Sequence, residues 1–194
     1  MATKITFNTL TGLAVGLIWL TSSAAFAQDV ALSLYAGQLT KEKWEQALSP
    51  KAEMADATLF VASAAWTVGR YFDARLSVEL EAQVGKYVGD QTHWELNLPI
   101  LGFRWHRFPW DHHMATSVAW GIGPSYATRI PEVELETNDE SSRWLIYWFG
   151  EVTVGPPAAH WEILFRLHHR SDGFGTVAED GGSNALCAGL RYRF

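Results

Sequence analysis

The feature that most constrains this chain is a period-two alternation of apolar and polar residues that recurs along most of its length. In "ARLSVELEAQV", Leu76, Val78, Leu80, Ala82 and Val84 share one parity, while Ser77, Glu79, Glu81 and Gln83 share the other. "HWELNLPI" sets Trp94, Leu96, Leu98 and Ile100 against Glu95 and Asn97, and "WEILFRLHHRS" sets Trp161, Ile163, Phe165 and Leu167 against Glu162 and Arg166. Successive side chains of a strand leave opposite faces, so the pattern predicts strands with one apolar and one polar face. Composition agrees. Apolar residues make up 48% of the chain while mean hydropathy is only -0.04, which requires interleaving rather than blocks.

About eight segments follow this pattern, over residues 29–39, 57–69, 74–87, 92–106, 112–128, 142–155, 159–171 and 183–194. "LTKEKWEQALSPKAEMADA" and "RIPEVELETNDES" are long polar connections, whereas "GRYFD", "RFPWD" and "GPPA" are short. Tryptophans and tyrosines gather near the strand ends, as in interfacial girdles. One face carries Trp, Leu, Ile, Phe and Val; the other carries glutamates and arginines able to neutralise one another in a filled lumen. The expected fold is therefore all-β, an eight-stranded antiparallel transmembrane β-barrel of the outer membrane. The competing reading is a secreted soluble β-sandwich. A lumen filled by side chains disfavours a diffusion pore.

The termini support a membrane destination. Lys4, the apolar stretch "LTGLAVGLIWLTSSAA" and a small-x-small site ending at Ala27 read as a secretory signal peptide over 1–27, with the barrel over 28–194. A single membrane anchor is the alternative for that stretch. At the other end, Gly189, Tyr192 and Phe194 in "GLRYRF" resemble the final-strand signal read by the barrel assembly machinery, with Cys187 where that signal usually has a polar residue. One cysteine excludes an internal disulfide or a Cys-rich zinc site, and a net charge of -6 argues against a nucleic-acid partner.

The densest polar cluster is "RLHHRSDGFG", Arg166–Gly175. Continuing the apolar parity from Trp161 to Leu167 brings His169 and Ser171 onto the lipid side, and His168 and Arg170 onto the lumen side with Glu162 and Arg166. Read back from Phe194, the last strand brings Asn184 onto the outer face, where it is expected beside Ser171. Ten steps of ~3.3 Å, tilted by ~45°, carry the chain roughly 23 Å from Trp161 to Ser171. Ser171 is thus expected near the outer-leaflet interface, where polar side chains facing lipid are costly without a function.

"HRSDGFG" resembles the His-x-Ser-Asn motif of the outer-membrane lipid A 3-O-deacylases, the PagL family, whose eight-stranded barrel the whole chain from 28 onward matches. The resemblance implies a serine esterase facing the membrane, with Ser171 as nucleophile and His169 as general base. The family's oxyanion-hole asparagine corresponds to Asp172. An ionised carboxylate repels a developing oxyanion, so the backbone N–H groups of Gly173, Phe174 or Gly175 are the alternative donors. The family's orienting glutamate corresponds to Asn184, with Glu179 and Asp180 as alternative acids. The implied substrate is lipid A or lipopolysaccharide, with no cofactor; a homodimer is left open. "DHHM" (Asp111, His112, His113) lacks a third metal ligand, and "EVELETNDE" reads as a solvated loop, with binding of divalent cations that bridge lipopolysaccharide as the alternative.

Overall fold

In the computed structural model the described residues are 29–42 and 44–194, so the segment read as a signal peptide lies outside them. Nine strands form: β1 (Val30–Thr40), β2 (Met54–Tyr71), β3 (Leu76–Gly89), β4 (Trp94–Asn97), β5 (Leu101–Trp105), β6 (Ala115–Ala127), β7 (Trp144–Gly155), β8 (Trp161–Ser171) and β9 (Gly182–Arg193). Two short helices accompany them, α1 (Trp44–Ala47) and α2 (Glu132–Thr137). All pairings are antiparallel between neighbours, β9 returns to pair with β1, and the ring is closed. β4 and β5 occupy one position in it, giving eight staves.

That split corrects the single strand expected over 92–106. Pro99 has no N–H to donate to a ladder. The chain fits in one extra residue there, five steps from Asn97 to Gly102 against four from Gln83 to Glu79, with the Glu81 N–H donating to the Pro99 carbonyl at 2.9 Å and the Leu98 N–H to the Pro124 carbonyl at 3.0 Å. The opposing strand accommodates it at Gly123, where a Cβ would meet the Leu98 carbonyl oxygen at 2.0 Å. The connections 41–53, 90–93, 128–143 and 172–181 lie at one end of the barrel, called the loop end below. The turns 72–75, 106–114 and 156–160 lie at the other.

Alternation sorts the two faces as expected. Leu32, Leu34, Phe60, Leu80, Val84, Phe103, Val118, Trp120, Val152, Ile163, Phe165 and Leu190 are exposed on the outer wall. Exposed aromatic residues ring both ends of that wall, with Tyr71, Trp105, Trp161 and Tyr192 at the turn end, and Trp94 and Trp144 at the loop end. So wide an apolar exterior is far beyond what water tolerates and suits hydrocarbon.

The interior is ionic. Glu151 accepts from Arg104 at 2.7 Å and from Arg166 Nε at 2.6 Å; Arg104 also reaches Glu79, and Arg166 reaches Glu81 at 2.7 Å. Arg191 joins Glu79 at 3.1 Å. Tyr35 and Phe149 carry the Arg166 guanidinium on their rings, centroids 4.9 and 4.0 Å away. His168 and Arg170 join Glu162 and Arg166 in one lumenal network, as expected, through Glu95, Asn97, Gln83 and Glu81 above and through Glu151, Arg104, Ser117 and Thr153 below. Within it they make up an upper tier, His168 with Glu95 at 2.7 Å and Arg170 with Glu134 at 2.6 Å, while Glu162 meets Thr153 and Arg193 at the other end. A side chain projects inward only every second residue, so positions 162 and 166 lie below 168 and 170.

The "EVELETNDE" run is not simply a solvated loop. It forms α2, which folds inward at the loop end and buries Val133 and Glu134 completely or nearly so. Removing one partner from a buried ion pair strands the other charge, at about 3–5 kcal/mol. Glu151→Ala is therefore expected to lower unfolding stability by about that amount, measured by tryptophan fluorescence during urea titration of vesicle-inserted protein. The exposed Arg70–Asp29 pair provides the contrast: Asp29→Ala should cost at most about 1 kcal/mol.

Candidate active site

β8 ends at the loop end of the barrel with three residues whose directions differ. His169 and Ser171 leave the outer face and Arg170 points into the lumen, as parity requires. Outside the wall they meet a cavity of about 630 Å³, lined on one side by Ile122, Ile146 and Trp148. Its opposite side is polar, formed by Lys41, Glu42, Glu45 and Asn184, with the 172–182 segment along the rim. His169 is only 6% exposed although it faces outward, because Trp148 lies against its ring with centroids 4.6 Å apart.

Asn184 sits opposite His169 in the β8–β9 register, not opposite Ser171 as expected; Ser171 pairs with Gly182. The shift joins the imidazole to the amide directly, with His169 Nδ1 2.6 Å from Asn184 Oδ1. The assignment of that bond follows from its neighbour. Asn184 Nδ2 lies 2.8 Å from the Glu42 carbonyl oxygen, which can only accept, so the NH₂ must face Glu42 and the oxygen must face His169. An amide oxygen also only accepts, and the proton must therefore be on Nδ1. Neutral His169 is held as its Nδ1–H tautomer, with the Nε2 lone pair left as the base.

Ser171 is half-buried in the same cavity, and its Oγ accepts a 3.3 Å hydrogen bond from the Gly173 N–H. Asp172 is engaged by the turn that follows it. Its carboxylate accepts the N–H groups of Phe174 at 3.3 Å and Gly175 at 2.7 Å, closing a tight turn. Gly173, Phe174 and Gly175 all have positive φ, at 69°, 58° and 75°. Two glycines supply that conformation without steric cost, and a Cβ on Gly173 would also meet Ile146 Cδ1 at 2.4 Å. Of the three backbone donors considered, the Phe174 and Gly175 N–H groups are thus already occupied, and that of Gly173 is the one beside Ser171.

The two alternative acids are placed differently. Glu179 is exposed and outside the cavity lining, whereas Asp180 lines the cavity and accepts the Asp139 N–H at 2.9 Å. His112 and His113 contact each other at the turn end of the barrel, and among the described residues no group of three His, Cys, Asp or Glu could hold a metal. Sequence reasoning passed over Glu42 and Glu45, whose loop carries no pattern. It also passed over Ile146 and Trp148, which the alternation of "WLIYWFGEV" and hairpin pairing to β8 would have placed beside the site.

The α2 segment braces this corner from within. Glu134 Oε1 accepts from Arg170 at 2.6 Å and from Ser183 Oγ at 2.8 Å, and Oε2 accepts from Ser141 Oγ at 2.5 Å. Burial pushes the Glu134 carboxyl above the usual carboxylate range, with Arg170 pulling the other way.

No protein-family model matches the chain, and no curated protein matches its sequence. Among solved structures it is similar to the outer membrane enzyme PagL, with a TM-score of 0.62 and 10% identity, covering 84% of this chain and 99% of that one. The N-terminal β-barrel domain of Pseudomonas aeruginosa OprF aligns at a TM-score of 0.47 and 14% identity over 86% of this chain and 98% of that one. Neisserial surface protein A aligns at 0.49 and 10%, over 85% and 96%. The fold is that of the eight-stranded outer-membrane barrels.

The tautomer argument has a direct check. In detergent-solubilised protein labelled with ¹⁵N-histidine, His169 is expected to show an Nδ1–H signal and an unprotonated Nε2 near neutral pH. Asn184→Ala should replace this by a mixture of tautomers; an unchanged pattern would show that Asn184 does not set it.

Proposed function

We propose that this chain is an ester hydrolase of a Gram-negative outer membrane, acting on an ester-linked acyl chain of lipid A or a related outer-leaflet lipid. The observation that carries the reading is the Glu42–Asn184–His169 chain of hydrogen bonds, which leaves Nε2 basic in a lipid-side cavity shared with Ser171. The apolar outer wall and its aromatic rings support insertion in a bilayer. The loop end then faces the exterior, and the cavity opens at the outer leaflet. The likeness to PagL in fold supports the same placement.

In the reaction, Ser171 Oγ attacks the acyl carbonyl as His169 Nε2 takes the hydroxyl proton. The carbonyl π electrons move to oxygen, and the Gly173 N–H is the donor nearest the developing charge. Collapse of that adduct breaks the ester C–O bond, and the imidazolium gives its proton to the leaving alcohol. Water, deprotonated by His169, then attacks the acyl-enzyme; Ser171 recovers the proton and the fatty acid departs. The path requires one rotation of the Ser171 side chain from Gly173 toward His169, of the kind that catalytic hydrogen bonds undergo when substrate binds.

A second reading, a non-catalytic lipid-interacting barrel, is favoured by the resting Ser171–Gly173 bond and by an amide in place of a carboxylate behind the histidine. Mass spectrometry of lipid A from a Gram-negative host separates the two. Expression of the wild type is expected to remove one ester-linked acyl chain, Ser171→Ala none, and His169→Gln should slow release by about 10²–10⁴-fold. Intact lipid A despite folded, inserted wild type would favour the non-catalytic barrel. Deacylation that survives Ser171→Ala would remove Ser171 as nucleophile.

A further inference from the structure

Arg170 lies between the proposed base and nucleophile in sequence, and it is fully buried on the other side of the wall. Its guanidinium is gripped from several directions. Nη1 meets Glu134, Nε meets Ser125 at 2.9 Å, and Nη2 reaches the carbonyls of Ser142 and Arg143, each at 3.3 Å. Glu95 lies 3.5 Å away. Across the hairpin, Ser183 is tied to the same Glu134 oxygen at 2.8 Å. Ser183 is the register partner of Arg170, and Gly182 that of Ser171.

The same segment holds the hairpin from outside the lumen as well. Asn138, which follows α2, donates from Nδ2 to the Gly182 carbonyl at 3.0 Å, and the Asp139 N–H donates to Asp180. Thr137 and Asn138 also line the cavity. The 128–143 connection therefore ties the tip of the β8–β9 hairpin at Arg170, Ser183, Gly182 and Asp180. Ser171 is the last residue of β8, where a strand ordinarily frays into its loop.

We propose that Glu134 is a positioning residue for the Ser171–His169 pair: by holding Arg170 and Ser183 together it fixes the end of β8 from which both side chains project. This rests on the esterase reading above. Positioning within about 0.5 Å is what a preformed nucleophile–base pair demands, and Glu134 touches neither reacting group. What matters is the pair of hydrogen bonds accepted by one oxygen, and a glutamine at this position keeps an oxygen there and can turn its NH₂ toward Ser141 Oγ.

The test uses full-length mature protein in mixed micelles, with release of fatty acid from extracted lipopolysaccharide and fluorophosphonate labelling of Ser171 as readouts. Glu134→Ala is expected to lower kcat at least about tenfold with KM within about twofold. Labelling should slow by a similar factor, and Glu134→Gln should restore kcat to within about threefold of wild type. A purely structural role predicts fewer folded molecules instead, with kcat per labelled site unchanged, and that result would overturn the proposal. Should Glu134→Ala fail to fold, Ser183→Ala, which removes the Ser183 Oγ bond to Glu134 and leaves the Arg170–Glu134 pair in place, decides: a lower kcat at constant KM supports the clamp, and wild-type kcat overturns it. Wild type that neither releases fatty acid nor labels at Ser171 would overturn the esterase reading and this inference with it. Active wild type with unaffected variants would overturn this inference alone.

Discussion

Because the sheet closes through β2 and β3 on one side and β1 and β9 on the other, no strand can slip by one residue without exchanging its two faces. Such a slip in β8 would carry Arg166, Arg170 and His168 outward and drive Ile163, Phe165 and Leu167 into an ionic interior. Arg166 alone engages Glu81, Glu151 and Tyr35 inside the barrel, so the exchange would break a network as well as expose its charges. The outward direction of His169 and Ser171 is thus set by the same constraint that holds their neighbours inward. A polar pair on an apolar wall is not a local accident of the hairpin end; it is enforced by the residues between and below it.

The ionic interior is a costly way to fill a barrel, since desolvating several guanidinium and carboxylate groups offsets much of their attraction. Its benefit is specificity of placement. Arg104, Arg166 and Arg170 present planar donor forks that carboxylates at particular heights can satisfy, and each lumenal tier therefore registers several strands at once. The upper tier differs from the lower in drawing one carboxylate, Glu134, from a connection rather than from a strand. A loop is thereby locked to the barrel wall, and the cavity acquires a fixed rim where connections would otherwise move independently.

Most of the architecture was legible because alternation is a direct consequence of strand geometry. All eight staves, their faces and the outward placement of the His–Ser pair could be read from parity alone. What escaped depended on contacts between distant segments. The split at Pro99 turns on how β6 makes room at Gly123. The partner of His169 depended on a register set by the 172–181 turn, whose length and three consecutive positive-φ residues parity does not encode; the expectation missed by two residues along β9. Glu134 was hidden for a different reason. Among five acidic residues in "EVELETNDE", sequence offers no mark for the one that meets a buried arginine across the barrel.

The two departures from the deacylase motif have a common explanation in their neighbours. A side chain at position 184 must accept from His169 Nδ1 and also face the Glu42 carbonyl at 2.8 Å. An amide does both, accepting with one end and donating with the other. A carboxylate would set an anionic oxygen against a carbonyl oxygen, and one of the two contacts would be lost or would need a proton. At position 172 the argument runs the other way. Two N–H groups converge there, from Phe174 and Gly175, and a carboxylate can accept both at once. Its negative charge is engaged by those donors, and the Gly173 N–H stands beside the Ser171 oxygen. An asparagine could offer the turn only one accepting oxygen, with its NH₂ free to point elsewhere. Carboxylate at 172 and amide at 184 therefore exchange chemical type relative to the family while each fits the donors and acceptors around it, so neither departure by itself argues against a working His–Ser pair.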